Sequence, residues 1–424
     1  MSKWSKETIC VQGNYNPKPG EPRVLPIVQS TTYAYDDPDQ VARLFDLEEV
    51  GHMYSRISNP TVCAFEEKIN ALEGGSGALA VASGQSATIT AILTICSAGD
   101  HVISSATIYG GTYNLFKVTL AKLGIDVSFV DPEDSIEDIK KLSRENTKAV
   151  FAETLGNPGL NVLDFDKFSK VSKSIGVPLI VDNTLATPCL CRPFEHGANI
   201  IVHSTTKYTD GHATSVGGVV IDGGNFDWGN GKFKDFTEPD ASYHGVKYYE
   251  TFKEAAFITK ARVQLLRDLG NCMSPFNAFL NHLGLETLHL RMERHSQNAL
   301  KLAEWLNTQE KIEWVNYPLL EGNIELEKTK KYLPNGGSGI LTFGIAGGLE
   351  AAKKFTKSLK LTTLVVHLAD VRTSILHPAS TTHRQLSEQQ QIESGVNPEL
   401  LRVSVGIESI EDIIKDFENA LSQI

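Results

Sequence analysis

Between residues 78 and 202 the chain alternates short apolar, β-branched runs with stretches of helical periodicity. No other feature restricts its possible folds as strongly. Runs at 78–82, 101–104, 126–130, 149–152, 178–181 and 198–202 read as strands, and 86–96, 112–123, 136–143 and 165–175 read as helices. Successive strands separated by helices cannot pair as hairpins. They form a mostly parallel sheet with helices on both faces, the architecture of an α/β protein.

In such open sheets functional groups gather where the strands end at their carboxyl side. The run at 178–181 ends in Asp182-Asn183-Thr184, and the run at 198–202 leads into Ser204-Thr205-Thr206-Lys207. A lysine after a strand is, by itself, an ordinary solvated loop residue. Here Ser204 and Thr206 stand beside it, and hydroxyls with backbone amides at a strand end suit a phosphate. An Asp and a Lys on neighbouring strand ends then point to pyridoxal phosphate. Lys207 would form the Schiff base, and Asp182 would keep the pyridine nitrogen protonated so that the ring accepts electrons. Ser83-Gly84-Gln85 between a strand and a helix offers a second phosphate contact, with exposed amides at the positive end of a helix dipole. Tyr109, just after another strand, could stack on a flat ring.

The flanks are different. Residues 1–58 are rich in Pro, Gly, Asn and Tyr without strong periodicity and read as an irregular arm, with too few apolar residues for a core of its own. Such an arm must lie on something, and a neighbouring subunit is one candidate. Asn59-Pro60 opens a helix as cap and first-turn residue, with a buried stripe of Val62, Phe65, Ile69 and Leu72 and a stop at Gly74-Gly75. After a turn-rich stretch at 222–243, long helical periodicity covers 283–306. Strands near 340–344 and 401–405 and a helix from Glu411 suit a smaller α/β domain. The expected division is 1–58 arm, 59–265 large domain and 266–424 C-terminal domain.

Several classes are excluded or disfavoured. Lys+Arg 40 against Asp+Glu 51 gives a net charge of −11, which argues against a non-specific nucleic-acid or anionic-membrane binder. The start has no apolar signal region, and no run of 18 apolar residues occurs, so secretion and membrane spanning are not expected. The six cysteines fit no common zinc spacing, even at Cys189-Leu-Cys191 with His196 nearby, and read as reduced thiols of a cytoplasmic protein. Gly74-Gly75-Ser76-Gly77 matches neither nucleotide-loop pattern, and the glycine fingerprint of a nicotinamide dehydrogenase is missing.

Taken together, these residues resemble the pyridoxal-phosphate enzymes of cysteine and methionine metabolism, a subgroup of fold type I. The resemblance runs nearly end to end. It includes Tyr54-Ser-Arg56-Ile-Ser-Asn-Pro-Thr61, Ser83-Gly84-Gln85, Ile108-Tyr109-Gly110, Asn157-Pro158, Val181-Asp182-Asn183-Thr184, Ser204-Thr205-Thr206-Lys207 and His377-Pro-Ala-Ser-Thr-Thr-His383. It implies that Lys207 carries the cofactor and serves as general base, Asp182 pairs the ring nitrogen, and Tyr109 stacks and assists proton transfer. It further implies that Asn157 binds the ring hydroxyl, and that Gly84, Gln85, Ser204 and Thr206 bind the phosphate. Tyr54 and Arg56 would reach the phosphate from an adjacent subunit, Tyr54 also bordering the substrate, and Arg402 would clamp the substrate α-carboxylate. The implied assembly is a homotetramer built as a dimer of dimers.

Within the family, the length and the segments Thr237-Glu-Pro-Asp-Ala-Ser-Tyr-His-Gly245 and His367-Leu-Ala-Asp-Val-Arg-Thr373 are similar to the O-acetylhomoserine sulfhydrylases. Methionine γ-lyases have a cysteine after the Tyr-Gly pair, where this chain has Gly111. The implied reaction is γ-replacement of acetate by sulfide or methanethiol. A methionine γ-lyase or a cystathionine γ-synthase or lyase shares nearly every one of these residues and is the rival reading. A non-catalytic scaffold on this fold would be expected to lack Lys207 or Asp182, and both are present.

Overall fold

The structure, a computed structural model, describes residues 4–381, 384 and 397–424. Seven strands build the larger sheet: β1 (Gly77–Val81), β2 (His101–Ser105), β3 (Asp126–Val130), β4 (Thr147–Glu153), β5 (Leu179–Asp182), β6 (Ile200–Ser204) and β7 (Gly218–Asp222). Their spatial order is β1-β7-β6-β5-β4-β2-β3. Strands β2 to β6 pair in parallel, while β7 runs antiparallel between β6 and β1. The six expected strands all form, each within two residues of its expected limits. The sequence reading did not include β7. Its apolar run is three residues, Val219 to Ile221, preceded by Gly217 and Gly218. A Cβ at Gly218 would collide with the Ser83 carbonyl, so glycine is what lets β7 slide beneath the loop after β1.

Helix α1 (Lys6–Gln12), α2 (Pro38–Phe45), α3 (Pro60–Glu73) and α4 (Gly84–Ile95) lead into and over this sheet. Asn59 caps α3 by accepting the Thr61 and Val62 N–H groups at 3.0 and 3.4 Å, and Gly74 ends it with φ 83°. The expected stripe of Val62, Phe65, Ile69 and Leu72 is buried. Glu66, on the same helix, is also buried. Its Oε1 accepts the Ala80 N–H of β1 at 2.7 Å and its Oε2 pairs with Arg262 at 2.6 Å, which satisfies a charge that burial would otherwise penalise.

The arm is less irregular than its composition implies. It holds two short helices, and α2 is fixed at its start by Pro38 and by the Asp37 side chain accepting the Asp39 N–H. Ile9 and Cys10 of α1 are buried in the large core, and the Lys6 ammonium donates to the Pro188 carbonyl at 3.3 Å. The beginning of the arm therefore rests on its own chain. Residues 16–24 remain exposed.

The second sheet comprises β8 (Ile312–Asn316), β9 (Ile340–Ile345), β10 (Thr363–Leu364), β11 (Ser374–Leu376) and β12 (Leu400–Ser404), in the order β10-β11-β12-β9-β8. Its core gathers Leu302, Phe343, Phe355, Val403 and Phe417. The helical stretch expected at 283–306 is two helices, Pro275–Glu286 and Leu288–Leu306, parted where Thr287 leaves helical geometry at φ −109° and ψ 6°. The first of these sends Ala278 and Leu285 into the large core. Among the described residues no helix is long and apolar enough to cross a membrane.

Candidate active site

The register of the large sheet assembles the site. Asp182 stands beside Glu153 of β4 on one side and Val202 of β6 on the other. The turn after β5 is held by Asn183, whose amide donates to Glu73 at 2.8 Å and to the Cys191 carbonyl at 3.0 Å while its oxygen accepts from Thr154 at 2.8 Å. Asp182 Oδ1 accepts both the N–H and the hydroxyl of Thr184. That hydroxyl in turn accepts the Ser204 N–H at 2.9 Å, tying the ends of β5 and β6 together.

Burial pushes the Asp182 carboxyl up, and the Thr184 hydrogen bonds oppose it. Glu153 is pushed up further by burial and by the Asp182 charge beside it, so the pair is short of positive charge. A cationic ring nitrogen next to Asp182 would supply it. Glu153 was not anticipated from the sequence, although a carboxylate closing the 149–152 run obeys the same strand-end logic that marks Asp182. It accepts the Tyr109 N–H at 2.7 Å and so sets where that residue begins.

The loop into α4 packs against the end of β6. Ser83 caps the helix by accepting the Ser86 N–H at 3.1 Å, and a Cβ on Gly84 would lie 2.5 Å from the Ser204 Cβ. Glycine is required for that close approach. Gln85 keeps a buried Oε1 without a partner. The Thr206 hydroxyl donates to the Gly217 carbonyl at 3.2 Å and accepts the Gly217 N–H at 3.1 Å, which anchors the turn that presents Lys207. A helix N-terminus and a glycine that admits close approach suit a phosphate group, with backbone N–H groups as its donors.

Lys207, Arg402 and Tyr109 share one electrostatic neighbourhood. Burial, then the Arg402 charge, lowers the Lys207 ammonium to about 8, with Asp370 opposing. Burial brings Arg402 to about 10, with Tyr109 opposing. Arg402 donates to Asn157 Oδ1 at 3.3 Å. Tyr109 is 52% exposed, so its ring is open to a ligand face. A Cβ at Gly111 would lie 2.5 Å from the Tyr109 ring and 2.8 Å from Gln85 Nε2, so a cysteine there would displace both. His367, anticipated only as part of a segment, brings its Nδ1 to 3.3 Å from Lys207 Nζ.

Tyr54 and Arg56 are not part of this group within one chain. Arg56 donates to the Arg267 carbonyl and lies 5.3 Å from the centre of the Tyr54 ring. Both line a cavity of about 510 Å³ with Tyr33, Tyr35 and Arg267. Of the motif at 377–383, His377 is buried and bonded to Ser380 and the Pro398 carbonyl, while Thr382 and His383 lie outside the described residues. Among the described residues all six cysteines are free and no cluster of His, Cys, Asp or Glu could hold a metal.

The strand order, the lysine after β6 and the carboxylate ending β5 define a pyridoxal-phosphate enzyme of fold type I. The model of the Cys/Met metabolism PLP-dependent enzymes matches residues 7–422, and the chain belongs to that family. It is 52% identical to the O-acetyl-L-homoserine sulfhydrylase of Leptospira meyeri, across 99% of this chain and 97% of that one. It is 47% identical to the homocysteine synthase of Schizosaccharomyces pombe, across 94% of each. A solved Campylobacter jejuni structure carrying N′-pyridoxyl-lysine-5′-monophosphate superposes with a TM-score of 0.95 at 39% identity, covering 99% of this chain and 100% of that one.

Proposed function

We propose that the chain catalyses γ-replacement on O-acetyl-L-homoserine, joining sulfide to Cγ with departure of acetate to give homocysteine. The observation that supports this reading is that Lys207 and Tyr109 both lie within electrostatic reach of Arg402, which suits holding an amino acid by its carboxylate beside a base. Bound pyridoxal phosphate supplies the sink for electrons released at Cα. Asp182 holds the ring nitrogen charged; Gly84, Gln85, Ser204 and Thr206 hold the phosphate; Asn157 meets the ring hydroxyl. Arg402 grips the α-carboxylate. The freed Lys207 amine, lowered to about 8, is unprotonated often enough near neutral pH to take the Cα proton and shuttle one at Cβ. Acetate leaves with the Cγ–O electron pair, the Cγ–S bond forms, and Lys207 returns the proton to Cα.

The acyl group is read as acetyl. Arg402 is the cation coupled to Tyr109, and it is committed to the α-carboxylate. A neutral ester needs no further cation, whereas a succinyl or phosphoryl ester would. The expected result is highest kcat/KM for O-acetylhomoserine when the three esters are compared at fixed sulfide. A tenfold advantage of either charged ester, about 1.4 kcal/mol in transition-state stabilisation, would refute the acyl assignment.

The same reading takes 59–265 as the cofactor-binding body, 266–424 as the smaller domain and 1–58 as an arm. Tyr54 and Arg56, set apart from Lys207 in one chain, would complete the site of a second copy. That makes a dimer the smallest working unit, with two dimers forming a cytoplasmic tetramer. Exposed Val24, Phe45 and Val50 on the arm support such a contact.

A further inference from the structure

His367 lies closer to the Lys207 amine than its place in a loop before β11 would suggest, and its backbone is pinned there. The Ala369 N–H donates to the Ser404 hydroxyl at 2.7 Å and the Val371 N–H to the Gly211 carbonyl at 2.9 Å. The Arg372 guanidinium donates to the His212 carbonyl at 2.7 Å. The loop that presents Lys207 and the loop that presents His367 are therefore fastened to each other. Ala369 takes φ 68°, a left-handed conformation that a residue with a Cβ adopts only when its surroundings enforce it.

The two ring nitrogens have different surroundings. Nδ1 is 3.3 Å from Lys207 Nζ. Nε2 is buried, has no hydrogen-bond partner, and lies 3.9 Å from Asp370 Oδ2. A carboxylate on that side favours the tautomer with its proton on Nε2, which leaves Nδ1 free to accept.

We propose that His367 is a positioning residue for Lys207: its Nδ1 accepts an N–H of the amine while that amine is free, and holds it at one place between successive proton transfers. The amine of a free lysine sits on a flexible four-carbon stem, and a base that must act at both Cα and Cβ gains from a fixed anchor between the two acts. The charged and titratable groups facing the pair are Asp370 and Arg372 from the His367 segment, Asp210 from the Lys207 segment and Arg402 from β12. Burial and the Lys207 charge lower the imidazole below its ordinary value, so it is neutral and able to accept across neutral pH. Asp370 is itself occupied by the Arg372 N–H and Nε, at 2.8 and 3.1 Å, which keeps the carboxylate in place behind Nε2.

The inference rests on Lys207 being the cofactor lysine, a reading that the Lys207→Ala variant tests separately. The test compares His367→Leu, which keeps bulk without an acceptor, with His367→Asn, which restores an acceptor oxygen that cannot titrate. In the Leu variant kcat is expected to fall about 10- to 100-fold with KM little changed, as for a reacting group left slightly misplaced. Loss of an acceptor that favours the protonated free amine should also move the midpoint of the acid limb of the kcat–pH profile at saturating substrate down by about half a unit or more. The Asn variant should recover most of both. Wild-type kcat and midpoint in the Leu variant would overturn the proposal, and so would an Asn variant no better than Leu, which would make the residue merely structural. If the Leu variant does not fold, His367→Ala supplies the same two readouts.

Discussion

Lys207→Ala protein is expected to fold, to lack the visible absorbance of the wild type, and to lose activity by about a thousandfold or more, the scale set by removing both a covalent attachment and a positioned base. Folding should survive because the change removes an amine whose charge burial already disfavours; its ammonium sits at about 8. The backbone turn that carries it is held independently by Thr206 and Gly217. The same variant tests the assembly. Tyr54 and Arg56 lie apart from Lys207 in one chain, so a dimer mixing Lys207→Ala and Arg56→Ala chains contains one site with both groups intact. Subunit exchange between the two inactive proteins should restore part of the activity. Unchanged absorbance in Lys207→Ala would remove the lysine assignment, and absence of rescue after proven exchange would confine the arm to its own subunit.

Asp182→Asn should be nearly as damaging, through charge rather than shape. The wild-type carboxyl is raised by burial, with Glu153 alongside, and is suited to a cationic partner. An amide of almost equal volume cannot hold the ring nitrogen protonated. Exchange of the substrate α-proton with deuterium is therefore expected to slow by at least about 100-fold, roughly 2.7 kcal/mol in barrier. The Thr184 N–H can still donate to the Asn oxygen, so the β5 turn should persist and thermal stability change little. Near wild-type exchange would show that the ring nitrogen is not governed by this residue.

Much of this was legible in the residues, for a physical reason. A parallel strand buried on both faces must be a short apolar run, and its end must carry whatever polar group the fold exposes there. Asp182 and Lys207 announce themselves by that contrast. Gly84 was legible as a close approach of backbone before a helix, and the structure supplies its partner, Ser204. What the sequence concealed depends on contacts distant along the chain. Strand β7 hides behind two glycines whose purpose is visible only in the fold, Gly218 against Ser83 and Gly217 against Thr205 and Met273. The arm reads as irregular because Ile9 and Cys10 are few, although the large core buries both. His367 meets Lys207 across 160 positions, and no local periodicity records such a meeting. Glu153 was available to the same strand-end reasoning as Asp182 and was passed over because it lacks a neighbouring motif.

The rival reading is elimination: the same residues releasing α-ketobutyrate from the same substrate with no new Cγ–S bond. The central claim of replacement is tested most directly by measuring both products from O-acetylhomoserine with and without sulfide. With saturating sulfide, homocysteine should account for nearly all the acetate released, and α-ketobutyrate should be a minor product. Acetate release matched by α-ketobutyrate, and unaffected by sulfide, would contradict the account and make the chain a γ-lyase.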